Sequence, residues 1–403
     1  MPAPAGLSLI DHFAALEDPR QSWKVLYPLP EVLLLVLSGT LAGAEDFVEV
    51  RRWGAVNQEF LRRFLPYAGG IPSHDTLNDV INAIDADLFA QCFGAWAEGL
   101  REAAPDAVGP EVVAIDGKTS RRTHDRGKER GPLHLVSAWA SSQRLVLGQQ
   151  ACEAKSNEIT AIPLLLERLA LTGALVTTDA MGGAGRRFHP AQPDGRASGG
   201  CQTKIAQAIL DRGGDYLLAV KDNQPSLHGE VQRLFDDPGT TLHSECETVD
   251  GEHGRIETRR HRISHDVDWL ATDRRFPGEP RFPGLRAIAR VEAEVERGGG
   301  DGAVTSRERR YYLSSLPLDA RLFARAVRCH WHIENRLHWV LDVVFREDLS
   351  RLRSGSGPQN MATVRHMALN LLRGARDTHS LKVRRKSAAW DTTYLEALLH
   401  QTA

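Results

Sequence analysis

The sequence predicts an α/β fold, with one mixed sheet preceded by a helical region. Three observations carry that prediction. Apolar residues recur at helical spacing from about residue 7 to 104. Between Val112 and Val220 the pattern reads strand, strand, strand, helix, strand, helix, strand. A β-rich stretch at about 240–316 then precedes a long helical pattern at Ala320–Phe345.

In the helical region the periodic segments are Pro30–Leu41, Phe47–Trp53, Glu59–Leu65 and Leu88–Leu100. Pro72–Thr76 reads as a turn entering another helix. Ser73 is its candidate cap, and Leu77, Val80, Ile81 and Ile84 form its apolar stripe. Ala103–Pro110 reads as a linker. The expected division is a helical domain at 1–104, an α/β domain at 108–378 and a basic C-terminal tail at 379–403.

Within the α/β domain the expected strands are Val112–Ile115, Leu133–Ala140, Leu145–Gln150, Ala174–Thr178 and Tyr216–Val220. Helices are expected at Ile159–Leu169, capped by Asn157, and at Lys204–Leu210. Gly183–Gly200 is rich in Gly, Pro and Arg without periodicity, which reads as a surface loop. The β-rich stretch offers Glu257–Ile263, Arg286–Glu296 and Arg307–Leu316, with turns at Asp250-Gly251 and Gly298–Gly302. A last helix, Asn360–Leu372, follows the breaker Gly355–Pro358.

Composition narrows the class. The chain has 403 residues, 42% hydrophobic and 25% charged, the balance of a soluble globular protein. A net charge of -2 argues against coating nucleic acid through bulk charge, yet a local basic face suffices to hold phosphates. Five scattered cysteines without a CxxC pair argue against a disulfide framework or zinc finger and fit a reducing cytoplasm. The most apolar stretch, Val32–Ala44, is too short to span a bilayer and runs into Glu45 and Asp46. A cytoplasmic protein without a membrane partner is expected.

Asp116 and Asp179 each follow a short apolar strand. Ligands of open α/β sheets gather at the carboxyl ends of strands, so neighbouring strands would bring both carboxylates into one site. Such acids repel one another unless a cation neutralises them, and Mg²⁺ or Mn²⁺ prefers oxygen ligands. Glu334, in the run Arg328–Asn335, is the candidate third acid, with His338 and Asp342 on the same helical face at i+4 and i+8. Three carboxylates can hold two metal ions roughly 3.5–4 Å apart, which suits in-line phosphoryl displacement. The bland alternatives are turn-forming or helix-capping roles for the aspartates and an ion pair for Glu334.

Several cations are candidate phosphate contacts. Lys118 follows Asp116, Lys221 follows a strand, and Arg255 and Arg259 lie in the expected hairpin His253–Arg259. His330, Arg336 and His338 flank Glu334, while Arg384 and Arg385 belong to the basic stretch from Arg351 to Lys386. Each could equally be a solvated or ion-paired group.

The blocks Ala114–Thr119, Lys155–Ile159, Thr178–Gly182 and Gly213–Tyr216 occur in an order that resembles the ISAs-type transposases of bacterial insertion sequences. That group includes the H-repeat-associated proteins. His253–Arg259, Tyr311–Leu316 and Trp331–Asp348 extend the resemblance, as do Asp18–Arg20 and Pro72–Thr76 in the helical region. It covers nearly the whole chain. The resemblance implies a ribonuclease-H-like mixed-sheet catalytic core with a β-rich insertion, two Mg²⁺ or Mn²⁺ ions, and DNA cleavage and strand transfer. Asp116, Asp179 and Glu334 match the three acids of such enzymes. The implied partners are double-stranded DNA, as the element's terminal inverted repeats and as target, and further copies of the chain. Two departures stand out. Val327, His330 and Leu341 occupy the places of a Tyr, an Arg and a Lys in related transposases, and Gly183–Gly200 intervenes before Cys201-Gln202. Another metal-dependent nuclease, or a DNA-binding remnant without activity, are the alternative readings.

Overall fold

The computed structural model describes residues 8–102, 109–124, 131–152, 158–179, 199–221, 224–252, 255–271, 281–297 and 304–401. Helices α1 (Leu9–Ala14), α2 (Leu29–Leu41), α3 (Phe47–Val56), α4 (Gln58–Leu61), α5 (His74–Ala83) and α6 (Ala86–Glu102) come first. Strands β1 (Val112–Ser120), β2 (Leu133–Ala140) and β3 (Leu145–Ala151) follow, then α7 (Glu158–Leu166), β4 (Leu175–Thr178), α8 (Gly199–Asp211), β5 (Asp215–Val220) and α9 (Pro225–Asp236). The β-rich stretch comprises β6 (Ser244–Glu252), β7 (Arg255–Ser264), the short α10 (Asp268–Ala271), β8 (Ala287–Arg297) and β9 (Val304–Ser314). The chain closes with α11 (Ala320–His332), α12 (Trp339–Val343), α13 (Gly357–Gly374), α14 (Leu381–Trp390) and α15 (Thr392–Leu399).

Two compact units share these elements, and neither is one continuous segment. The first unit comprises Met1–Asp106, Gly117–Ser156 and Glu334–Ala403; the second comprises Ala107–Asp116 and Asn157–Ile333. The N-terminal helices therefore group with β2, β3 and the C-terminal helices rather than standing alone.

The first unit is built around α2 and α13. Every residue of α2 except Pro30 is buried, which is why its sequence is apolar all round rather than on one stripe. Helix α13 packs against α2, α5, α6 and the strand β3. Its buried polar residues satisfy the backbone of its neighbours. Asn360 Nδ2 donates to the carbonyls of Ile81 and Ile84 at 2.7 and 3.0 Å, closing the end of α5. Asn370 accepts from Val146 N–H and donates to Val146 C=O, both at 2.9 Å, pairing with β3 as a neighbouring strand would. The expected cap forms: Ser73 Oγ accepts from Thr76 N–H at 3.1 Å. The expected helix at Glu59–Leu65 is shorter, only Gln58–Leu61.

The stretch expected as a basic tail is folded. Helices α14 and α15 bury Arg385, Ala388, Leu395, Leu398 and Leu399. Both pack on α13, and α14 also touches α2.

In the second unit the strands run in the order β1-β4-β5-β9-β8-β7-β6. The pairs β1–β4 and β4–β5 are parallel, whereas β5–β9 and all pairs beyond are antiparallel. The β-rich stretch is thus continuous with the sheet through β9. Helix α11 packs on β4, β6 and β7, burying Phe323, Ala326 and Val327 among Ile263, Ala289 and Tyr312. Asp250 and Gly251, expected as a turn, pair instead with Glu257 and Ile256 within the β6–β7 ladder. Strand β1 also runs longer than its apolar part, passing through Asp116 to Ser120. Residues 183–198 of the expected loop and the expected cap Asn157 lie outside the described residues, while Gly199 and Gly200 open α8.

Candidate active site

Parallel pairing of β1 with β4 sets Ile115 opposite Thr178, the last register pair. Asp116 and Asp179 each stand one residue beyond that pair. Two carboxylates therefore stand side by side where the β1–β4 pairing ends, at the carboxyl end of β4 where α/β folds gather ligands, while β1 itself continues to Ser120. Asp116 is half-buried and Asp179 exposed. Apolar residues anchor each position: Val112–Ile115 and Leu175–Val176 are buried, fixing how far each strand reaches.

Cations and one histidine gather near Asp179. Lys221, just past the end of the neighbouring strand β5, places Nζ 2.6 Å from Asp179 Oδ2, with both side chains about half exposed. His330, on α11, lies 2.9 Å through Nδ1 from Thr177 Oγ1, tying the helix to β4 two residues before Asp179. Burial pushes the His330 imidazole below its ordinary pKa, against the opposing pull of Asp179, so the ring is neutral at pH 7. Arg310 lies over the Trp331 ring at 5.1 Å and pairs with Glu308 at 2.7 Å.

Glu334 begins the other unit's last segment. It is exposed and lies in Ile333–His338, a π-helical stretch between α11 and α12. Glu334 stands second in this wider i→i+5 turn and His338 closes it, with Asp342 one α-helical turn further on. Asp342 faces Lys118 at 2.7 Å. His338 is half-buried, and desolvation, reinforced by Lys118, pushes its pKa down to about 3.

Lys118 is a correction to the expected phosphate contact. Its side chain is 10% exposed and meets Asp342, Glu347 and Asp348 at 2.7, 2.9 and 3.6 Å. Arg384 and Arg385 are corrected too. Arg384 pairs with Asp377 at 2.9 Å and donates to Leu372 C=O. Arg385 donates to the carbonyls of Thr40 and Ala44 at the end of α2 and to that of Val344. These guanidiniums complete helix ends instead of facing a ligand. Arg259 is held by Asp250 and Glu257 at 2.6 and 2.7 Å. Arg255 is exposed at the start of β7, and Arg336 is half-buried in the π-helical stretch.

Residues 107–371 match the family model described as "Transposase DDE domain". The chain belongs to the DDE transposase family. Residues 10–97 match the companion model described as "DDE_Tnp_1-associated". Among curated relatives of this transposase family, "Putative transposase YncI" of Escherichia coli O157:H7 is 38% identical over 97% of this chain and 94% of its own length. "H repeat-associated putative transposase YhhI" of Escherichia coli strain K12 is 35% identical over 97% of both chains. "Putative protein YbfL" of the same strain shows the same identity and coverage.

Asp116 and Asp179 supply oxygen donors only, the set that hard divalent ions prefer, and Asp179 is open to solvent. That donor pair fits a Mg²⁺ or Mn²⁺ ion. Among the described residues no three His, Cys, Asp or Glu side chains are gathered closely enough to hold a metal, and Lys221 neutralises Asp179. No helix among the described residues is long and apolar enough to cross a membrane.

Proposed function

We propose that this DDE-family chain is the transposase of a bacterial insertion sequence, with a ribonuclease-H-like core that cuts DNA and joins strands. The observation that supports the reading most is the register that sets Asp116 and Asp179 side by side on parallel strands. With Glu334 as the third acid, these carboxylates would hold divalent ions, which supply activation of the attacking oxygen and stabilisation of the leaving one.

The chain's own residues have distinct tasks in this reading. Asp116 and Asp179 bind through carboxylate oxygens. Lys221 neutralises Asp179 and is near enough to turn to a DNA phosphate when the carboxylate is otherwise engaged. Neutral His330 holds α11 against β4 and adds no charge beside the acids. Arg255, exposed on β7, remains a candidate backbone contact, and Arg336 another. Two element ends must be held together, so a homo-oligomer on DNA is part of the proposal.

The test is a duplex carrying the DNA that flanks the gene, incubated with Mg²⁺ and purified protein. Wild type is expected to cut at the element's ends and to join the cut strands to a second duplex. Asp116→Ala, Asp179→Ala and Glu334→Gln are expected to bind the duplex without cutting it. Equal cutting by any of the three removes that residue from the assignment. Cutting without end preference or joining indicates a different metal-dependent nuclease. End binding without cutting by the wild type leaves a DNA-binding remnant. A deletion of residues 183–200 then shows whether the insertion is responsible.

A further inference from the structure

We propose that Lys118 is a positioning residue: it clamps the end of β1 that follows Asp116 to the segment that follows Glu334, and so conditions how these acids take up a divalent ion. The inference rests on the reading of Asp116, Asp179 and Glu334 as metal-holding acids.

The clamp lies wholly within the first unit. Lys118 stands two residues after Asp116 on β1. Its Nζ meets Asp342, Glu347 and Asp348, which come 8, 13 and 14 residues after Glu334. Glu347 accepts a hydrogen bond from the ammonium at 2.9 Å, while Asp342 and Asp348 face it as ion pairs. Glu347 is 3% exposed and also faces Arg365 at 3.6 Å, which anchors the cluster to α13. A second strap runs parallel: Asp348 accepts from the Arg121 backbone N–H at 3.2 Å and faces its guanidinium at 3.3 Å.

Charge makes the arrangement hard to loosen one contact at a time. Without Lys118, three acids would crowd together; without the acids, Lys118 would be a buried bare cation. Asp342 faces Lys118 while Glu334, eight residues earlier, stays exposed.

Titration calorimetry of the full-length protein with MnCl2 alone tests this, with thermal unfolding measured in parallel. Lys118→Ala is expected to bind Mn²⁺ about 10-fold more weakly or worse, the scale on which lost outer supports weaken metal sites. Asp342→Asn removes one charge at a partly exposed position. It is expected to weaken binding by about threefold, below that scale, with little change in unfolding temperature. It decides the question if Lys118→Ala does not fold. A purely structural role predicts lower unfolding temperatures with unchanged Mn²⁺ affinity, and that result in a folded variant overturns the clamp. So does Mn²⁺ binding by Lys118→Ala that survives Asp179→Asn, because the ion would then sit on the freed acids. The underlying reading fails separately. If the wild type binds no Mn²⁺, or binds it equally after Asp116→Asn with Asp179→Asn, those acids hold no metal and the clamp falls with them.

Discussion

The Lys118 ammonium lies 2.9 Å from the Glu347 carboxylate, and the two side chains are 10% and 3% exposed. Burial penalises both charges, yet Lys118 and Arg365 hold the Glu347 carboxyl below its ordinary pKa. Removing one partner of such a buried pair typically costs about 3–5 kcal/mol, because the other charge is left under-neutralised. Glu347→Ala is therefore expected to lose about 3 kcal/mol of stability. Urea unfolding checks this, and an unchanged midpoint would show that solvent or Asp348 compensates.

Acid should weaken the first unit before its carboxylates protonate. Burial lowers His338 to about 3 and His366 to about 4, from an ordinary value of 6.5. Both folded-state values lie below the unfolded one, so the unfolded chain takes up these protons first as pH falls. Stability from the two neutral rings is fully present above pH 6.5. It drains as pH falls from 6.5 toward 4, with a limiting slope of about 1.4 kcal/mol per pH unit per ring. Glu347 adds its loss only below its ordinary value of 4.5. A thermal unfolding series from pH 7.5 to 4.5 should fall steadily, and His366→Leu should flatten it. Parallel curves would remove His366 from the linkage.

Gly54 lets α3 approach the side chain of Leu35 on α2. A Cβ there would lie 2.5 Å from Leu35 Cδ1 and 3.3 Å from Ile71 Cγ2. Leu35 is fully buried with little room to move, so Gly54→Ala should overpack the helix pair and cost about 1–3 kcal/mol despite alanine's better helix propensity. Differential scanning fluorimetry against Gly251→Ala, where a Cβ meets nothing within 4 Å, gives the comparison.

Truncation after residue 378 should be damaging. It removes Leu395, Leu398 and Leu399 from the core, and with Arg385 the donor to the Thr40 and Ala44 carbonyls. The shortened protein is expected to aggregate or to be digested much faster by trypsin at low protease concentration. A truncated chain as soluble and protease-resistant as the full one would show that α14 and α15 are dispensable.

The parts of the site legible in the sequence are those with local causes. Buried apolar runs ending at Ile115 and Thr178 announce the positions of Asp116 and Asp179 at the end of the β1–β4 pairing. Other features depend on distant partners. Whether Lys118 faces solvent is decided by acids more than 220 positions away. Arg384 and Arg385 look like a surface charge run until α2 and α13 supply the carbonyls they satisfy. Strand β6 is hidden in the sequence because Glu245, Glu247 and Asp250 break its apolar pattern. Its partners are arginines on β7, such as Arg260 at 2.9 Å from Glu247 and Arg262 at 3.0 Å from Glu245. The π-helical Ile333–His338 has no compositional mark, so regular helical spacing does not reveal it.

The almost wholly buried α2 packs against α3 close by and, to the same extent, against α13, a neighbour more than 300 residues later in the chain. At about 5–20 residues per second, a ribosome takes tens of seconds to deliver that neighbour. During this interval the leucines of Leu29–Leu41 lack the cover that α13 supplies. A frameshift anywhere before Gly357 would leave that segment permanently uncovered, so interrupted gene copies should yield insoluble products instead of half-working ones.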